Sequence, residues 1–270
     1  MAQGPPPDTA QVVGYERRGA VAVLTLNRSG RRNAWGFDME RQLFDLADRA
    51  DADPLIRVVV LTGSGTSFCP GMDARQLAGL GRGAGVAERD RPPTHLRSLR
   101  KPTIAAVNGG CAGVGLVQAL CCDIRFAALE ARISCAFPRR GAPAEYGTAW
   151  LLARLIGLAD ATELLLSGRT LDAPEAERLR LVTRVVPRAE LLADVLAYAS
   201  EVADNCAPLA LQAIKLQLAS GQQGSLDDAV ALSRAIAHEP GRRPDLAEGA
   251  SAYVERRPPQ FAPLPPRDAR

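Results

Sequence analysis

The chain has 270 residues, 47% of them hydrophobic and 23% charged, and its 33 basic groups nearly balance 30 acidic ones, for a formal charge of +3. This composition belongs to a globular protein with a sizeable core, and it excludes disordered, collagen-like and coiled-coil classes. All basic residues but Lys101 and Lys215 are arginine, interleaved with Asp and Glu instead of forming one basic stripe, so no nucleic-acid partner is expected.

Residues 1–7 show no basic cluster followed by an apolar run, so no secretory signal is expected and the cytoplasm is the default location. Two β-rich runs, 12–17 and 21–27, flank Arg18-Gly19-Ala20 and predict a hairpin. Met39, Leu43, Leu46, Ala47 and Ala50 then fall on one helical face, with Asp38 as the cap and Asp53-Pro54 as the stop. Residues 57–63 read as an apolar strand leading into the loop 64–73. The stretch 79–93, rich in Gly, Arg, Asp and Pro, has no apolar period and is expected to be a mobile surface loop.

Further along, 103–108 is a strand, 109–115 a glycine-rich turn that opens a helix to Cys122, and 123–127 another strand. From Glu145 the patterns become helical: 145–156, 159–167, 174–179, 189–206, 208–220, 225–239 and 244–256. A mixed α/β core over residues 1–205 followed by a helical region over 206–270 is the simplest account, with a poorly ordered Pro-rich end from Pro258. The longest apolar runs, such as 21–26 and 58–61, fall far short of the ~20 residues of a membrane helix, so no membrane association is expected.

Six cysteines, Cys69, Cys111, Cys121, Cys122, Cys135 and Cys206, form no CxxC pair, and the two histidines, His95 and His238, lie far apart. Zinc-site spacing is missing, no metal is expected, and the thiols read as reduced. Gly109-Gly110-Cys111-Ala112-Gly113 has the outline of a nucleophile elbow with Cys in place of Ser. Its base would have to be His238, and the HGG-type oxyanion motif is missing, so a small buried thiol is the plainer reading. Gly113-Val114-Gly115 begins like a dinucleotide fingerprint but meets Gln118 where the third small residue belongs.

What this turn does offer is a helix start with free N–H groups, suited to an anion or oxyanion. Ser67-Phe68-Cys69-Pro70-Gly71-Met72-Asp73 is a second turn of the same kind. Each alone reads as ordinary turn chemistry.

Taken together with Asn27-Arg28, Asn33-Ala34, 60–63, 101–109, Cys122-Asp123-Ile124-Arg125, Arg139-Arg140-Gly141, Glu145-Tyr146-Gly147, Trp150-Leu151-Leu152 and Ser167-Gly168-Arg169, the two turns closely resemble the enoyl-CoA hydratase/isomerase (crotonase) superfamily. The motifs occur in that family's order over nearly the whole chain. The resemblance implies a crotonase-like α/β fold, a spiral core of repeated ββα turns followed by a C-terminal helical region that makes trimer contacts. It also implies an acyl-CoA thioester whose carbonyl oxygen sits between two backbone N–H groups, here those of Met72 and Val114. Gly71, Gly113, Arg28 and Asp73 are implied as substrate or CoA contacts. CoA is part of the substrate and no separate cofactor is called for; the expected assembly is a homotrimer or hexamer.

The physical argument agrees with the family's arrangement: removing a proton beside a thioester places negative charge on the carbonyl oxygen, and prepositioned N–H dipoles stabilise it. Two departures stand out. Hydratases of this family use two glutamates, and the matching positions here hold Val117 and Phe137. Pro70 also replaces the usual alanine before Gly71. The family's Δ3,Δ2-enoyl-CoA isomerases place one glutamate in a segment that aligns with Ala144-Glu145-Tyr146, which makes Glu145 the candidate base; as a bare pattern it is an acidic residue in a first helical turn.

Asp73, Asp123 and Asp172 read as capping residues beside turns. Arg28, Arg32, the 82–91 loop, Lys215 and Arg256 are candidates for the CoA phosphates. The expected activity is a double-bond shift with Glu145 as the single base. Hydration through a non-standard site and an acyl-CoA binder without catalysis are the alternatives, and a thiol hydrolase stands last.

Overall fold

A computed structural model describes residues 11–81, 90–222 and 224–266. The expected hairpin is β1 (Val13–Arg18) against β2 (Val21–Leu26), antiparallel. Helix α1 (Phe37–Ala52) buries Met39, Leu43, Phe44, Ala47 and Ala50, close to the face read from the sequence. Its cap is Gly36, in extended backbone, so Asp38 sits inside the first turn, where its charge complements the helix dipole instead of closing the helix end. Asp53, held extended before Pro54, ends the helix as expected.

Three successive strand-strand-helix units follow. They are β3 (Val58–Gly63), β4 (Ser67–Cys69) and α2 (Ala74–Gly81); β5 (Thr103–Val107), β6 (Gly110–Ala112) and α3 (Val114–Cys121); and β7 (Ile124–Ala128), β8 (Arg132–Ser134) and α4 (Thr148–Ile156). The first strand of each unit joins one sheet and the second joins another, which gives the expected spiral of ββα turns. The chain continues through α5 (Leu158–Ser167), β9 (Thr170–Asp172), α6 (Ala173–Arg178), β10 (Arg184–Val186), α7 (Arg188–Asn205), α8 (Pro208–Gly221), α9 (Leu226–Ala237) and α10 (Arg243–Glu255).

The larger sheet has the order β1-β2-β3-β5-β7-β10 and is parallel except for β1; the smaller has the order β4-β6-β8-β9, with only β9 antiparallel. Strands β3 and β5 are buried at every residue, which is why they read as unbroken apolar runs. One face of the large sheet packs on α1, the small sheet and α3 through the main core. The other face is covered by α7, whose Leu191, Val195, Ala199 and Ala203, spaced by four, form one buried stripe.

Three further expectations need correction. The loop read from 79 begins later, because α2 runs on to Gly81; residues 82–89 lie outside the described residues, and 90–93 lead into a 3-10 turn, His95–Ser98. Helix α4 starts at Thr148, not Glu145, because Tyr146 (φ 53°) and Gly147 (φ 72°) are left-handed and break the helical path. In the Pro-rich end, residues 258–266 are docked, with 267–270 outside the described residues: Arg57 Nη2 donates to the Phe261 carbonyl at 2.6 Å, Arg100 Nη1 to that of Pro265 at 2.7 Å, and Leu264 is buried. Composition signalled disorder, but the carbonyls of that segment are satisfied by two arginine forks from distant parts of the chain. Among the described residues no helix is long and apolar enough to cross a membrane.

Candidate active site

Strands β4 and β6 run parallel as neighbours, with Cys69 paired to Cys111, so the turns that leave them emerge side by side. Gly71 (φ 107°) and Gly113 (φ 52°) both adopt backbone that side chains disfavour, and the two turns touch. A Cβ on Gly71 would lie 3.3 Å from the Ala112 carbonyl oxygen, and one on Gly113 would lie 3.7 Å from the Gly71 Cα. Gly115 brings α3 against β4 in the same way: a Cβ there would fall 2.2 Å from the Cys69 carbonyl oxygen. The glycines are therefore demanded by the approach of the two turns as well as by their conformation.

Met72 follows Gly71 and pairs with Trp35 in a short parallel bridge, in which Trp35 N donates to Gly71 O and Asp73 N donates to Trp35 O, each at 2.8 Å. That ladder uses the amides on either side of Met72 and leaves its own N–H unused among the described residues. Val114 is the first residue of α3, and the first amide to close an intrahelical bond is that of Val117, to Gly113 O at 3.0 Å. Its N–H is thus one of the helix-start donors that the helix cannot satisfy. Two N–H groups with no partner among the described residues thus lie on abutting turns, and such donors are chemically suited to an oxyanion.

The loops behind the turns are held by two amide side chains. Asn33, fully buried, donates to Ser64 O (2.9 Å) and Ser67 O (2.7 Å); Asn108 donates to Gly63 O (2.8 Å) and Gly65 O (3.0 Å). Asp73 is buried, and its Oδ2 pairs with Arg31 (2.9 Å) and Arg28 (3.4 Å), while Arg28 also donates to Ala34 O. These two expected CoA contacts are thus partners of each other at the edge of the first turn. Arg32 is exposed beside them, and Arg256 ends α10 at the far end of the chain. Of the 82–91 loop, residues 82–89 lie outside the described residues, and Arg91 is paired with Asp45 and Asp48.

Glu145 lies in the exposed loop ahead of α4, where its carbonyl accepts from Thr148 N (3.0 Å) and Thr148 Oγ1 (2.6 Å). Those bonds fix the backbone of this exposed residue. Val117 and Phe137, at the positions of the family's two glutamates, are both buried in the main core, against which Ala144, Tyr146 and Trp150 also pack. The packing around Val117 and Phe137 is consequently apolar.

Asp172 caps α6 through a bond from Glu175 N at 2.8 Å, as read from the sequence. Asp123 instead binds Thr103 N, Thr103 Oγ1 and Lys215 Nζ (2.6 Å), a cross-link between β5 and α8 that no local pattern announces. Burial raises the Cys111 thiol well above its ordinary pKa and that of Cys69 to about 12, so neither forms a thiolate near neutrality. His238, the only downstream histidine, is an exposed cap of α9, so the thiol-hydrolase alternative lacks both nucleophile and base.

Residues 16–263 match the family described as enoyl-CoA hydratase/isomerase. The chain is 35% identical over 254 residues to a probable enoyl-CoA hydratase of Mycobacterium bovis, covering 94% of this chain and 98% of the relative. It is 36% identical over 251 residues to the 1,2-epoxyphenylacetyl-CoA isomerase of Escherichia coli, covering 89% and 94%. Among solved structures it is similar to a probable enoyl-CoA hydratase/isomerase from Mycobacterium abscessus, with a TM-score of 0.86, 34% identity, and coverage of 93% of this chain and 99% of that one.

Proposed function

From the premise that this chain belongs to the enoyl-CoA hydratase/isomerase family and is an acyl-CoA enzyme of it, we propose that it shifts a double bond from the 3- to the 2-position of an enoyl-CoA, with Glu145 as the only base. The thioester oxygen accepts hydrogen bonds from Met72 N–H and Val114 N–H. The Glu145 carboxylate removes a proton from C2, the electrons run into the thioester as a dienolate, and the same proton returns at C4. The step is redox-neutral and needs no cofactor.

The observation that carries this reading is the replacement of both family glutamates by buried apolar residues, Val117 and Phe137, beside intact donor turns. Hydration divides its work between a group that activates water and a group that protonates carbon, whereas isomerisation asks for one base. Gly71, Gly113, Arg28 and Asp73 shape the edge on which the CoA thioester lies. The reading carries with it a cytoplasmic homotrimer or hexamer assembled through residues 206–270.

Turnover of 3-enoyl-CoA should greatly exceed hydration of 2-enoyl-CoA, followed by mass spectrometry and absorbance at the conjugated thioester. Glu145→Gln should abolish the isomerisation and leave acyl-CoA affinity within a few fold, since the base is lost and the shape kept. Efficient hydration by the wild type would overturn the isomerase reading, and tight binding with no turnover or α-proton exchange would favour a binder. The relative named as an epoxyphenylacetyl-CoA isomerase makes an epoxyacyl-CoA the second substrate to include.

A further inference from the structure

At the opposite end of α3 from Val114 lies a cleft of about 460 Å³, walled by leucines of α3, α4 and α8 and by Trp150. Five cations line it. Lys215 is paired with Asp123, and Arg100 with Asp51. Arg97, Arg125 and Arg154 make no ion pair among the described residues.

Arg125 is 8% exposed and donates Nε to Leu181 O (2.9 Å) and Nη1 to Cys122 O (2.7 Å), so its hydrogen bonds among the described residues go to carbonyls and not to a carboxylate. Arg97 and Arg154 flank one indole, their guanidinium carbons 5.9 and 3.9 Å from the Trp150 ring centroid. Burial pushes Arg125 below the usual arginine range; Asp123, which lines the same cleft but is paired with Lys215, opposes that shift, and Arg97 adds slightly to it. A buried, unpaired charge is costly, and a ligand that pairs with it recovers that cost.

We infer that this cleft is a second ligand site, separate from the thioester site, for an organic anion that joins a carboxylate to an apolar body. The carboxylate would meet Arg97, Arg125 and Arg154, and the body would lie on Trp150 and the leucines. An inorganic anion would use only the charged half and an alcohol only the apolar half. Neither should match the carboxylate.

Trp150 reports on the site directly, because the other tryptophan, Trp35, is buried in the core. Octanoate titrated into the full chain should change tryptophan emission saturably, with one site per chain by calorimetry, and Trp150→Phe should remove the optical signal. Octanol and inorganic phosphate should each bind at least roughly tenfold more weakly, the effect of losing a charge-assisted bond or the apolar contact. The double variant Arg97→Gln, Arg154→Gln should weaken octanoate to a similar degree; both residues are exposed, so the fold does not depend on them as it does on Arg125. Saturating butyryl-CoA should leave octanoate bound. The inference is overturned by any of four results: no saturation into the millimolar range, equal affinity for octanol or phosphate, unchanged affinity in the double variant, or displacement by butyryl-CoA.

Discussion

Proline at position 114 isolates one N–H from everything else α3 does. The residue opens the helix, where proline is well tolerated, and its amide closes no helical bond. Val114→Pro should therefore keep its circular dichroism and melting temperature and lose about 100-fold in kcat/KM, the measured scale for one oxyanion donor. Wild-type kcat/KM in a folded variant would show that the thioester oxygen lies elsewhere. The two turns were legible in the sequence because their glycines mark where the chain reverses, whereas Met72 and Val114 as donors rest on the family resemblance. The same holds for the Asp172 cap, which is made within three residues. Side-chain partners set by tertiary approach were not legible: Asp73 between two arginines, Asp123 with Lys215, and the packing of the segment that carries Glu145 depend on elements far apart in the chain.

At the scale of elements, the contact of α3 with β4 through Gly115 decides whether the two donor turns abut. Gly115→Ala puts a methyl 2.2 Å from the Cys69 carbonyl oxygen, backbone that cannot step aside without separating the strands. A loss of about 3 kcal/mol or more is expected from calorimetric or denaturant melts. Gly30→Ala, where nothing lies within 4 Å, should stay within about 0.5 kcal/mol. Equal stability of the two variants would mean that α3 is free to slide. Long elements such as α1 and α7 were readable to within a few residues from apolar period and from the proline stop. The three-residue strands of the small sheet were not, since β4, β6, β8 and β9 are too short to show alternation and exist because the large sheet places them side by side.

For the whole molecule, the C-terminal helices leave large apolar side chains in water, among them Leu226, Leu246, Tyr253 and Val254. Apolar surface on this scale is expected to be covered by other copies of the chain. Light scattering at micromolar concentration should give three or six chains per particle, and a monomer would remove the assembly part of the reading. The docked C-terminal segment has a different consequence, one of timing. Phe261 is bound by an arginine 204 residues earlier, and Pro265 by one 165 residues earlier. On the ribosome, Arg57 and Arg100 emerge long before either carbonyl has been made, so the edge they will close stays open until residues 261–265 have emerged. The segment that fastens the first half of the fold is thus made long after the arginines that hold it, and these long-range closures must wait for it.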